Sequence, residues 1–292
     1  MANLKEIKNR ITSISSTMQI TSAMKMVSAA KLKRAQDAIT QMRPYSEKLQ
    51  EILGNLSATL DLSENAFSHQ REVKNVIIVA VTSNRGLCGG FNNNIVKKVN
   101  ALIVEDFSGK TVKMIAVGKK GNDSFRRSEV NYRPDGIGEA ADMFNDLSFE
   151  RSTELAEFLM TEFAAGNVDK VVVVYNKFKN AAVQEIMDEQ FLPIEVTEQD
   201  DNAAAGDYIF EPSKSEIVEE LIPKSLKTQL FKALLDSTAS EHGARMTAMH
   251  KATDNAGELK KTLTLAYNKA RQAAITNEIL EIVGGAEALK GK

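Results

Sequence analysis

Residues Leu4–Ile39 read LKEIKNRITSISSTMQITSAMKMVSAAKLKRAQDAI. Alternating steps of three and four from Leu4 land on Ile7, Ile11, Ile14, Met18, Thr21, Lys25, Ser28, Leu32, Ala35 and Ile39, and continue through Met42, Ser46, Leu49, Leu53, Leu56 and Leu60. A seven-residue apolar repeat held that long belongs to a coiled-coil seam, not to an ordinary surface helix. Asn3 followed by Glu6 provides a cap and capping-box pair at its start. At about 1.5 Å per residue the helix would be on the order of 85 Å long. Pro44 predicts a kink near Arg43, because proline lacks an amide and clashes with the preceding turn. Such a helix cannot bury its stripe alone and needs a partner.

The other end of the chain supplies one. Pro223 fits the first turn of a helix, after a short helix capped by Ser213 and Glu216, and the following residues to Val283 contain no further proline. The same stepping there gives Met249, Ala252, Ala256, Leu259, Leu263, Ala266, Ala270, Ala273, Asn277 and Leu280. Alanine at so many seam positions lets two backbones approach closely. Two long terminal helices around a compact middle pair most simply as an antiparallel coiled coil. The expected division is residues 1–62 with 212–292 for the shaft and 73–207 for the insert.

The chain has 292 residues, 43% of them hydrophobic and 26% charged, enough for a real core. No run of about 18 apolar residues predicts a membrane span, and the N-terminus lacks a signal-peptide pattern. The lone Cys88 excludes an intrachain disulfide. The net charge of −2 conceals an asymmetry: roughly +6 through Arg43, roughly +4 from Lys224 onward, and about −12 between them. Aromatic residues do not interleave with the basic ones, so nucleic acid is not an expected partner.

In the middle the hydrophobic period changes. Val76–Val81, Val112–Val117 and Val171–Tyr175 are β-branched runs typical of strands buried on both faces. Residues 182–190 read as a strand beside the last of these, and Val130–Tyr132 as a weaker one. Helical stretches near 93–103 and 148–165 alternate with them, which predicts an open, mostly parallel α/β sheet. Between the first strand and its helix lies Arg85-Gly86-Leu87-Cys88-Gly89-Gly90. Its glycines could bring amides onto a phosphate, yet the spacing matches neither common phosphate-binding loop, and a tight turn explains it as well. The three histidines lack a second ligand at metal-binding spacing, and no carboxylate pair stands out. No catalytic residue, cofactor site or metal site is expected.

Three stretches carry a resemblance. They are Thr21-Ser22-Ala23-Met24-Lys25-Met26-Val27-Ser28-Ala29-Ala30-Lys31, then Thr82–Asn92 (TSNRGLCGGFN), and a C-terminal block. That block holds Ala244-Arg245-Met246, Ala252-Thr253-Asp254-Asn255 and Tyr267-Asn268-Lys269-Ala270-Arg271-Gln272, and closes with Ile275–Ala286 (ITNEILEIVGGA). Together they resemble the gamma subunit of the F-type, rotary ATP synthase over most of the chain, the middle matching in layout only. The resemblance implies a rotor shaft without catalysis of its own, with a Rossmann-like insert as its foot. Implied partners are the alpha and beta subunits of the catalytic ring, the epsilon subunit and the c-ring. The implied place is the cytoplasmic face of the bacterial inner membrane, peripheral and without direct insertion. Ring contacts are implied for Met24, Lys25, Lys31, Lys33, Arg34, Arg245, Arg271, Gln272, Thr276 and Glu278, and foot contacts for Tyr208 and Glu211. Photosynthetic members carry an inserted regulatory cysteine pair that this chain lacks, so thiol control is not expected. The alternative reading is a nucleotide-binding α/β module with a coiled-coil oligomerisation arm. Placing Met24 beside Arg245 predicts Leu4 near residue 265 and an exposed apolar tip beyond it; the rival register sets Leu4 against Leu280.

Overall fold

The computed structural model describes residues 4–57, 66–134, 140–194 and 214–290. The elements in chain order are α1 (Leu4–Ser57), β1 (Asn75–Val81), α2 (Phe91–Glu105), β2 (Thr111–Val117), α3 (Lys119–Phe125), α4 (Phe149–Ala164), β3 (Lys170–Phe178), β4 (Gln184–Leu192) and α5 (Lys214–Lys290), with a 3-10 turn at Ala140–Asn145. In chain order the long terminal helices α1 and α5 flank a four-stranded α/β sheet. The chain divides into two compact units, Met1–Val27 with Met246–Lys292, and Ser28–Arg245.

In the first unit Thr21 and Thr253 share a hydroxyl hydrogen bond of 2.8 Å, and Lys260 Nζ donates to Ser15 Oγ at 3.2 Å. As α1 numbers fall, α5 numbers rise, so the pairing is antiparallel. Extending this register sets Leu4 level with about residue 270, some five positions beyond the expected one. The α1 stepping holds, with Ile7 and Thr21 buried and Ile11, Ile14 and Met18 half-buried. On α5 the phase differs from the expected one: Leu259, at 50%, and Ala266 are exposed, whereas Lys260 and Tyr267 are half-buried. The seam there runs Met249, Thr253, Ala256, Lys260, Leu263, Tyr267 and Ala270. The polar pairs Thr21–Thr253 and Ser15–Lys260 select that face, and small residues on both sides admit it.

In the second unit the sheet order is β2-β1-β3-β4, with β1 parallel to β2 and β3, and β4 antiparallel to β3. Period-two alternation divides the strands between two layers. Val76, Ile78 and Ala80 pack with Ile95, Val99 and Leu102 of α2. Ile77, Val79 and Val81 pack with Leu155, Leu159 and Phe163 of α4 and with Leu226, Leu230 and Leu234 of α5. On α1 of this unit, Ser28, Leu32, Ala35, Ile39, Ser46 and Leu49 are buried, as the stepping predicts.

Two local expectations are corrected. Val130–Tyr132 makes only an isolated bridge, Met114 with Asn131, because the polar run before it gives no strand to extend. Pro223 does not start a helix but lies inside α5. Its missing amide removes one helical bond, and the burial of Ile222, Leu226 and Leu230 on the core outweighs that loss. Pro44 lies within α1. The proposed caps at Asn3 and Ser213 lie outside the described residues.

Candidate functional site

The loop after β1 stands where the strand order reverses, the position at which open α/β sheets place their ligands. Here another part of the same chain occupies it. Arg245 of α5 is only 7% exposed. Its Nη2 donates to the carbonyls of Arg85 (2.9 Å) and Gly86 (3.3 Å), and its Nε to Gly86 (3.4 Å). Nη1 bonds to the Glu241 carboxylate one turn earlier and lies 3.4 Å from His242 Nδ1. Burial holds His242 down to about 4, with Arg245 and Lys31 adding to the effect, so its ring is neutral and Nδ1 accepts. Burial pushes Glu241 up, while Arg245 draws it back.

The loop is braced from within as well. The Ser83 amide donates to Asn92 Oδ1 at 2.9 Å, Ser83 Oγ to the Arg85 carbonyl at 2.7 Å, and Asn92 Nδ2 to Cys88 Sγ at 3.3 Å. Cys88 is 2% exposed, and burial pushes its thiol up, which is the opposite of what a nucleophile needs. Gly118 meets the end of β1 across this network. At φ +99, a Cβ there would stand 2.2 Å from the Thr82 carbonyl oxygen, so only glycine fits. The loop turns carbonyl oxygens toward α5 and holds a guanidinium with them. That polarity suits a cation and opposes a phosphate, which argues against the nucleotide-binding alternative.

The residues expected at a partner interface are distributed as follows. Met24 and Lys25 are half-buried, and Lys31, Lys33 and Arg34 are exposed, with Lys33 paired to Asp37 at 2.8 Å. Arg245 is spent inside the chain on the glycine loop. Every residue from Arg271 to Glu287 is exposed, so Arg271, Gln272, Thr276 and Glu278 share a surface with Ile275 (49%), Ile279 (54%), Leu280 (64%) and Ile282 (66%). Tyr208 and Glu211 lie outside the described residues. Among the described residues no cluster of His, Cys, Asp or Glu could hold a metal ion.

The ATP synthase family model matches residues 3–289. The chain is 62% identical to the ATP synthase gamma chain of Flavobacterium psychrophilum and 60% identical to that of Christiangramia forsetii, covering 100% of both chains in each case. The chain belongs to the ATP synthase gamma-chain family. Its fold matches that of a chain in the Euglena gracilis mitochondrial ATP synthase with a TM-score of 0.67 at 21% identity, covering 98% of this chain and 94% of that one. A chain of the Tetrahymena thermophila mitochondrial ATP synthase central stalk and c-ring matches at 0.57 and 24% identity, covering 80% and 99%. As a gamma chain it carries one feature that the sequence reading missed, the Glu241–Arg245 clasp on the glycine loop. Its signal was there in part: an acid and an arginine at i and i+4 on one helix. The two carbonyls that complete the site have no sequence mark.

Proposed function

We infer that the chain is the central shaft of a rotary ATP synthase, coupling proton-driven rotation of a c-ring to ATP synthesis and hydrolysis in a ring of alpha and beta subunits. The observation that carries this reading is the full-length identity of 62% to a named gamma chain. The exposed tip of α5 supports it. A helix with Ile275, Ile279, Leu280 and Ile282 all exposed needs an apolar surround, and a ring bore is one.

In this reading the chain has no catalytic site of its own. It acts by presenting different faces to the alpha and beta subunits in turn. The basic cluster Lys31, Lys33 and Arg34, the half-buried Met24 and Lys25, and the polar tip positions Arg271, Gln272, Thr276 and Glu278 are its contacts with the ring. Arg245 serves them indirectly, from within. The segment around Tyr208 and Glu211 meets the c-ring, beside the epsilon subunit. The shaft is residues 1–62 with 212–292, and the insert 73–207 is the foot. No described helix is long and apolar enough to cross a membrane, and we place the chain on the cytoplasmic face of the bacterial inner membrane through its partners.

The test is assembly. The chain mixed with the alpha and beta subunits of its own complex is expected to co-elute as one species with ATPase activity. A chain that stays apart from them, or binds nucleotide stoichiometrically by itself, refutes the reading.

A further inference from the structure

We propose that Arg245 is a clamp that forces the Arg85–Gly90 loop into a strained shape, so that the sheet and α5 of the second unit move as one body. Three observations meet at this point. All three guanidinium nitrogens are engaged, two with loop carbonyls and the third with Glu241 and His242. The side chain is buried, so each of these bonds is made away from water, where leaving a partner unpaired is costly. Leu87, two residues beyond the first clamped carbonyl, holds φ +64 while 64% exposed.

The last point is decisive. A leucine in the left-handed region is strained, by about 1–2 kcal/mol. Strain persists only where surrounding contacts over-determine the backbone. An exposed side chain gains little burial in return, so the contacts that hold Leu87 there are those on its neighbours. The carbonyls of Arg85 and Gly86 immediately before it are fixed by Arg245. Cys88 immediately after it is fixed by Asn92. The loop in turn supplies acceptors to the next crossover: the Lys120 amide donates to the Ser83 carbonyl at 3.0 Å, and the Lys119 amide to Asn84 Oδ1 at 3.2 Å. One arginine on α5 thereby ties together the ends of β1 and β2. Lysine cannot replace it, since a single ammonium cannot reach two carbonyls and a carboxylate in a planar fork. In a rotor this is a positioning role, keeping helix and sheet from slipping under torque. That consequence rests on the shaft reading; the clamp itself does not.

The experiment has two arms. In the full-length chain, hydrogen exchange is followed at the amides of Ser83, Lys119 and Lys120, with Ile78 and Val79 of β1 as folding controls. Arg245→Gln and Arg245→Lys are both expected to speed loop exchange by at least about tenfold with the controls unchanged. Leu87→Gly is expected to raise the melting temperature in the wild-type chain by a few degrees, and to lose that gain in the Arg245→Lys background, where leucine can leave the left-handed region. Wild-type loop exchange in both Arg245 variants overturns the clamp. So does an equal Leu87→Gly gain in both backgrounds, which also decides the matter if Arg245→Gln does not fold. In the assembled complex, Arg245→Lys is expected to lower protons transported per ATP. A changed exchange pattern with an unchanged proton ratio leaves a clamp that carries no torque, and overturns the coupling role alone.

Discussion

Two glycines in α5 are expected to respond in opposite directions to the same substitution. Replacing a helix-interior glycine by alanine contributes about 0.8–1 kcal/mol through backbone entropy alone. At Gly257 a Cβ meets nothing within 4 Å, so Gly257→Ala should keep that gain. At Gly243 the new methyl would stand 3.2 Å from Ala181 Cα, 3.3 Å from its carbonyl oxygen and 3.4 Å from Phe178 Cε2. These neighbours cannot yield easily. Asn180 Oδ1 accepts from the amides of Ala182 (2.9 Å) and Val183 (2.8 Å), and the Phe178 amide donates to buried Asp236. Overpacking of this kind costs about 1–3 kcal/mol, which exceeds the helical gain. Gly243→Ala should therefore lose about 1 kcal/mol net and Gly257→Ala gain about 1, a separation of about 2. Thermal unfolding of the chain, followed by circular dichroism, should show shifts of about 2–3 °C in opposite directions. Shifts of the same sign would refute the packing described for α5 against the β3–β4 turn.

The seam makes a second contrast: Leu32→Ala should cost about 2–5 kcal/mol in urea unfolding, whereas Leu259→Ala, on the exposed side of α5, should stay within about 0.5. Equal losses would mean that the expected stepping, not the observed phase, describes α5. The lowered His242 sets a pH dependence. The unfolded chain binds the extra proton between pH 6.5 and about 4, so stability should fall as pH falls through that window, and His242→Gln should flatten the slope. Replacing Lys31, Lys33 and Arg34 together by glutamine should slow assembly with alpha and beta subunits most at low ionic strength. Rates that depend on salt in the same way for wild type and variant would make these charges ordinary surface.

The coiled coil and the sheet were legible because each has one period held over many residues. The α1 stepping survived from Leu4 to Leu49, and the runs at 76–81, 112–117 and 171–175 became strands. The phase of α5 was not legible, because with alanine on several faces no stripe is clearly the most apolar. Two hydroxyl and amine pairs then decide it, and such pairs exist only once the partner is placed. Pro223 misled because local breaking signals count less than the burial of Ile222 and Leu226 on a core built by distant residues. The clasp at Arg245 was hidden for a different reason. Its partners are main-chain carbonyls, which every sequence has everywhere, and only the fold aims two of them at one point.

As the shaft of a rotary ATP synthase, this chain turns. With the catalytic ring held on a surface and a probe fixed to the exposed Lys97 position of α2, ATP should drive rotation of the probe in one direction, in discrete steps that stop when ATP is removed. ATP hydrolysed by the assembled complex while the probe stays still would contradict the account.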